Sequence, residues 1–163
     1  MEALYLLSYT SIFHNNSNIP LFPKKIKYYL TIYYFSLIIT IEVRIMNVIM
    51  VALGGAVGAV CRYLLGLIPT FGRHNFPFTT LLINFLGAFI IGIVAFGSER
   101  LNLNQNLTLF LKVGLCGGFT TFSTFSLEAF NLLERGSYIT AFAYILASVT
   151  LCILGVFLGK IVV

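Results

Sequence analysis

Four uninterrupted apolar runs constrain this chain more than any other feature. They cover about residues 47–68, 78–97, 107–133 and 138–162. Each is long enough to cross a bilayer as a helix, which takes ~20 residues. In hydrocarbon the backbone must satisfy its own polar groups, and a helix does so within one segment. The connections "PTFGRHNFP", "SERLNLNQN" and "ERGS" are short. Short links force neighbouring helices to run antiparallel, so the expected fold is one all-α membrane bundle of four transmembrane helices. Composition agrees. Only 9% of the 163 residues are charged and 59% are hydrophobic, where a soluble domain averages about a quarter charged.

The same composition excludes several functions. The formal charge is +5, but the basic residues are scattered. Positive charge flanking membrane spans explains them better than nucleic-acid binding does, and no nucleic-acid partner is expected. Cys61, Cys116 and Cys152 all lie in apolar runs. They form neither a metal spacing nor an even disulfide set. HExxH, P-loop and GxSxG motifs are absent, and His14 and His74 are far apart. No enzyme is expected.

Residues 1–45 read differently from the rest. "NNSNIPLFPKK" is polar and broken by proline, and "YYLTIYYFSLIITI" is apolar but short for a span. Lys24, Lys25 and Lys27 resemble the basic start of a signal peptide, yet no clear small-residue cleavage site follows. Met46 stands directly before the first full-length span. It is the expected natural start, with residues 1–45 an extension and residues 46–163 the functional domain. A short interfacial helix is the alternative for the extension.

Charge does not fix the orientation. One side of the bundle carries Arg100, Lys112 and Lys160, with Arg44 when the extension is included. The other carries Arg62, Arg73 and Arg135. The positive-inside rule needs an imbalance. Insertion in both orientations fits these flanks, and so does the weak bias of any small membrane protein.

Polar residues inside spans are costly and usually face a partner or a cavity. Asn84 lies in the middle of the second span, with Thr79 and Thr80 near its start. Tyr144 and Ser148 are four apart on the fourth span, and Cys152 continues that face. The third span holds "GLCGGFTTFSTFSLE", residues 114–128. Gly117 and Gly118 each weaken a helix by about 1 kcal/mol relative to Ala. Thr120 and Thr121 are β-branched, and their hydroxyls compete for backbone hydrogen bonds. Together they predict a broken third helix. The carbonyls that end such a half-helix suit a small cation.

The plainer reading of the glycines is close packing. Gly54 with Gly58, Gly114 with Gly118 and Gly155 with Gly159 are GxxxG pairs. Packing does not explain "TTFST" beside them. Phe122 and Phe125 are three apart and share a face. Ring edges are weakly positive and would suit a passing anion, although core or lipid-facing Phe is the usual case among 16 such residues. Arg62, near the end of the first span, either snorkels to the interface or attracts anions into a vestibule. Glu128 lies well inside the third span and is expected to face water or a partner.

"GGAVGAVCRYLLG", "TTLLINFLGAFIIG" and "GLCGGFTTFSTFSLE" closely resemble the Fluc/CrcB family of fluoride-specific channels. The resemblance covers all four spans, and the GGxTTFSTF core is its most specific part. It implies an antiparallel, dual-topology homodimer in the cell (plasma or inner) membrane, a multi-pass protein that passively exports fluoride. It implies a structural Na+ at the dimer centre, held by backbone carbonyls of Gly117 and Thr120. It places Asn84, Phe122, Phe125, Tyr144, Ser148, Thr80, Ser123 and Arg62 along the fluoride path. Cys152 falls where a hydroxyl is expected. Two other readings have less support. A small multidrug-type antiporter needs an embedded carboxylate, and residues 47–68 hold none. A non-transporting membrane assembly protein explains the glycines but not Asn84 together with the Phe pair.

Overall fold

The computed structural model describes residues 24–68 and 76–163. His14, Arg73 and His74 lie outside the described residues. Every regular element among the described residues is helical: α1 (Lys24–Gly66), α2 (Phe78–Arg100), a composite third span and α6 (Tyr138–Val162). The third span is built from α3 (Gln105–Thr108), a π-helical segment (Leu109–Leu115), α4 (Cys116–Phe119) and α5 (Phe122–Glu134). Four of these segments are long and apolar enough to cross a membrane: Tyr28–Gly66, Phe78–Arg100, Gln105–Glu134 and Tyr138–Val162.

Contacts divide the chain into two units, Met1–Val43 and Arg44–Val163. In the first, the described residues are helical and almost all exposed. The first span was expected to begin near residue 47, but α1 begins at Lys24. The reason is local. No proline or glycine occurs between Lys24 and Leu53, so nothing ends the helix at the charged pair Glu42 and Arg44. The other helix ends follow their chemistry. Asn104 caps α3 by accepting from Asn106 N at 2.9 Å. Gly136, at φ 73°, turns the chain between α5 and α6. There the amides of Gly136 and Ser137 return to Leu133 O and Leu132 O.

Within the second unit, the three glycine pairs are contact points. A Cβ on Gly54 would overlap Phe110 O, and one on Gly58 would overlap Leu115 O. From the facing side, a Cβ on Gly114 would lie 2.8 Å from Gly54 Cα, and one on Gly118 3.0 Å from Gly55 Cα. The α1 backbone therefore touches the first half of the third span directly. Gly155 and Gly159 of α6 do the same against Phe85 and Phe89 of α2. Without a hydrophobic driving force between helices in lipid, such close approach is what holds them together. Large apolar side chains such as Leu82, Phe96, Phe122, Leu146 and Phe157 point outward, as a lipid- or partner-facing surface requires.

Candidate functional site

The third span breaks where its sequence weakens it. α4 ends at Phe119, and Thr120 (ψ 157°) and Thr121 (φ −148°, ψ 111°) are extended. Cys116 O accepts from both the amide and the hydroxyl of Thr120, at 3.0 and 2.8 Å. The next amide is diverted. In a continuous helix Thr121 N–H would donate to Gly117 O. Here it donates to Asn84 Oδ1 at 2.8 Å, and Asn84 Nδ2 donates back to Thr121 O at 3.1 Å. A second diversion follows. Thr124 N–H would serve Thr120 O, but it donates to Thr121 Oγ1 at 3.2 Å, because Thr121 is the N-cap of α5.

Two other spans fasten this turn. One face of α2 carries Thr80, Asn84 and Gly87 at helical spacing. Asn84 grips Thr121, and Gly87 lies so close to the Thr120 methyl that a Cβ there would overlap it. From α1, Arg62 Nε donates to Gly118 O at 3.1 Å. Arg62 therefore caps the end of the first half-helix, and its Nε is not free.

A buried polar cluster sits below the break. Thr80 Oγ1 donates to Glu128 Oε1 at 2.9 Å, and Tyr144 OH donates to Glu128 Oε2 at 2.7 Å. Thr80, Tyr144 and Ser148 are all buried. Ser148 Oγ is buried and makes no hydrogen bond among the described residues. Glu128 is thus the link between α2, α5 and α6. The sequence leads one to expect that Glu128 faces water or a partner, and it faces two hydroxyl partners. Its signal was present: Thr121, Phe125 and Glu128 recur at four and three residues, so they share one face of α5.

The aromatic residues extend this face. Phe122 and Phe125 have ring centroids 5.6 Å apart at 45°, and Phe125 lies 5.2 Å from the Tyr144 ring. Phe125 is partly buried, whereas Phe122 is 79% exposed. Ser123 Oγ is 3.3 Å from Thr121 Oγ1. Cys152 is half-buried two turns beyond Tyr144. The chain thus gathers Thr80, Asn84, Phe125, Glu128, Tyr144 and Ser148 along one side of the broken helix. Gly117 stands apart. A Cβ there would meet nothing within 4 Å, so its side of the turn is open.

Residues 49–160 match the family described as CrcB-like protein, Camphor Resistance (CrcB). Three relatives carry the name fluoride-specific ion channel FluC. The Phocaeicola vulgatus protein is 47% identical over 114 residues, covering 69% of this chain and 94% of its own length. The Agrobacterium fabrum protein is 47% identical over 115 residues, covering 69% and 92%. The Geobacter sulfurreducens protein is 48% identical over 115 residues, covering 69% and 93%.

Proposed function

The chain belongs to the CrcB family, and from that membership we propose that it is a fluoride-specific channel of the cell membrane. It lets fluoride leave the cytoplasm passively, down its electrochemical gradient. The observation that carries this reading is the broken third helix, with an amide, hydroxyls and two phenyl rings gathered beside it.

Fluoride is small and strongly hydrated, so a pore must replace its water with donors. Asn84 uses one amide N–H on Thr121 O and retains a second. Ser123 and Ser148 hold hydroxyls that can turn, and the rings of Phe122 and Phe125 offer weakly positive edges. Glu128 fixes the orientation of the Thr80 and Tyr144 hydroxyls.

The working unit we propose is an antiparallel homodimer. The balanced flanking charge permits both orientations. The open side of Gly117 and the exposed Phe122 ring leave room for a second copy. A structural Na+ fits between two such turns. The two carbonyls that the family resemblance assigns to it, Gly117 O and Thr120 O, are the two whose helical donors are diverted. Freed carbonyls at a half-helix end are suitable sodium ligands. When bound, the ion supplies fixed positive charge at the dimer centre.

Efflux from liposomes carrying the purified chain tests the reading. Fluoride should leave rapidly and chloride should stay. Phe122→Ile and Phe125→Ile should lose most fluoride flux at unchanged dimer content, since the swap keeps bulk but removes the ring edge. An apolar exchange of similar volume costs less than ~1.5 kcal/mol of stability. Equal release of both halides by the parent would defeat the fluoride assignment. Undiminished flux in both variants would leave the rings as packing residues only.

A further inference from the structure

We infer that Asn84 and Thr121 are the residues that build the cation site: each side chain draws away the amide that would otherwise close the helix over a ligand carbonyl. The inference rests on the sodium reading above and deepens it. Asn84 Oδ1 takes Thr121 N–H, which frees Gly117 O. Thr121 Oγ1 takes Thr124 N–H, which frees Thr120 O. Arg62 meanwhile occupies Gly118 O, so that carbonyl is not offered to an ion. Asn84 and Thr121 thus draw off the donors of Gly117 O and Thr120 O, while Arg62 engages Gly118 O. Asn84 also joins the two ions of the proposed channel. It holds the cation turn with its oxygen and faces the anion path with its remaining N–H.

The competing state is a more continuous helix, in which the two amides return to their own carbonyls. A hydrogen bond of ordinary strength shifts such an equilibrium by up to roughly tenfold. Substitutions divide on that basis. Asn84→Leu has similar volume but no acceptor, so Thr121 N–H falls back on Gly117 O. Thr121→Val likewise returns Thr124 N–H to Thr120 O. Thr121→Ser keeps the hydroxyl and is the control; Asn84→Asp keeps the acceptor but loses the donor to Thr121 O and adds a charge.

The experiment is thermal unfolding of the purified dimer against sodium concentration, with N-methylglucamine chloride holding ionic strength constant. A ligand that binds only the folded state raises the melting temperature with its concentration. The parent and Thr121→Ser should titrate alike. Asn84→Leu and Thr121→Val should need about tenfold more sodium for the same stabilisation. Thr121→Val is a small change that preserves folding if Asn84→Leu does not. If either apolar variant titrates like the parent, diversion does not build the site. The same conclusion follows if Thr121→Ser fails as the apolar variants do. A parent with no sodium response overturns the sodium reading together with this inference.

Discussion

The two halves of the third span meet their surroundings in opposite ways. The first half, from Leu109 to Phe119, touches α1 through backbone. Gly114 and Gly118 lie against Gly54 and Gly55 with no space for a methyl group. The second half, α5 with its N-cap Thr121, meets its neighbours through hydrogen bonds made by side chains: Asn84 on the Thr121 peptide, and Glu128 with Thr80 and Tyr144. Backbone contact gives position and little chemistry. Side-chain contact gives donors that can change partner. The break lies at the junction, so the rigid half sets where the adaptable half begins. Glycine is therefore needed in the first half for closeness, and hydroxyls are needed after the break for hydrogen bonding.

Substitutions can break this comparison, and the largest effect is expected at Gly58. Its added Cβ would overlap Leu115 O and lie 2.7 Å from Phe119 N. Neither atom can swing aside, because both are backbone. Gly58→Ala should cost about 3 kcal/mol or more, the upper range for overpacking. The measure is loss of folded protein in detergent. Gly117→Ala should act in the opposite sense within one subunit. Nothing lies near its Cβ, and alanine gains about 1 kcal/mol of helix propensity over glycine. Any harm it causes should appear as dimer loss on gel filtration, with helical content by circular dichroism retained. Equal damage from the two substitutions would erase the distinction between packed and open glycines. The smallest effect is expected from removing residues 1–45. The described part of that segment is almost wholly exposed, and the boundary between units lies at Val43 and Arg44. Dimer yield and fluoride efflux should stay at parent level; a truncated protein that fails to insert would make the extension structural.

Much of this organisation was legible in the sequence because its signals are local. Four apolar runs with short links gave four membrane-capable helices. Two glycines followed by two threonines gave the break, which falls at Thr120 and Thr121. The GxxxG spacings marked close packing, and all three pairs lie at backbone contacts. Other features depend on distant residues or on missing signals. The start of α1 differs from the expected residue 47 because a run too short to span by itself joins the next one through Glu42 and Arg44, and charge alone does not end a helix. The π-helical segment Leu109–Leu115 has no distinct local composition. Asn84 was recognised as a group that must be satisfied, but its partner, the Thr121 peptide, lies 37 residues away. Arg62 was read as free to snorkel or attract anions, whereas its Nε caps Gly118 O. Glu128 could be seen to lie deep in the span, yet its two hydroxyl partners come from α2 and α6. Only the packed bundle brings them together.

The central claim is that this chain selects fluoride over other halides, and a reversal potential measures that directly. The purified protein would be incorporated into a planar bilayer with fluoride on one side and chloride on the other, sodium being equal on both. A residual fluoride concentration on the chloride side defines the fluoride equilibrium potential. The account predicts a current that reverses at that potential and does not move when chloride is raised. A reversal near zero, set by the two halides together, would contradict it.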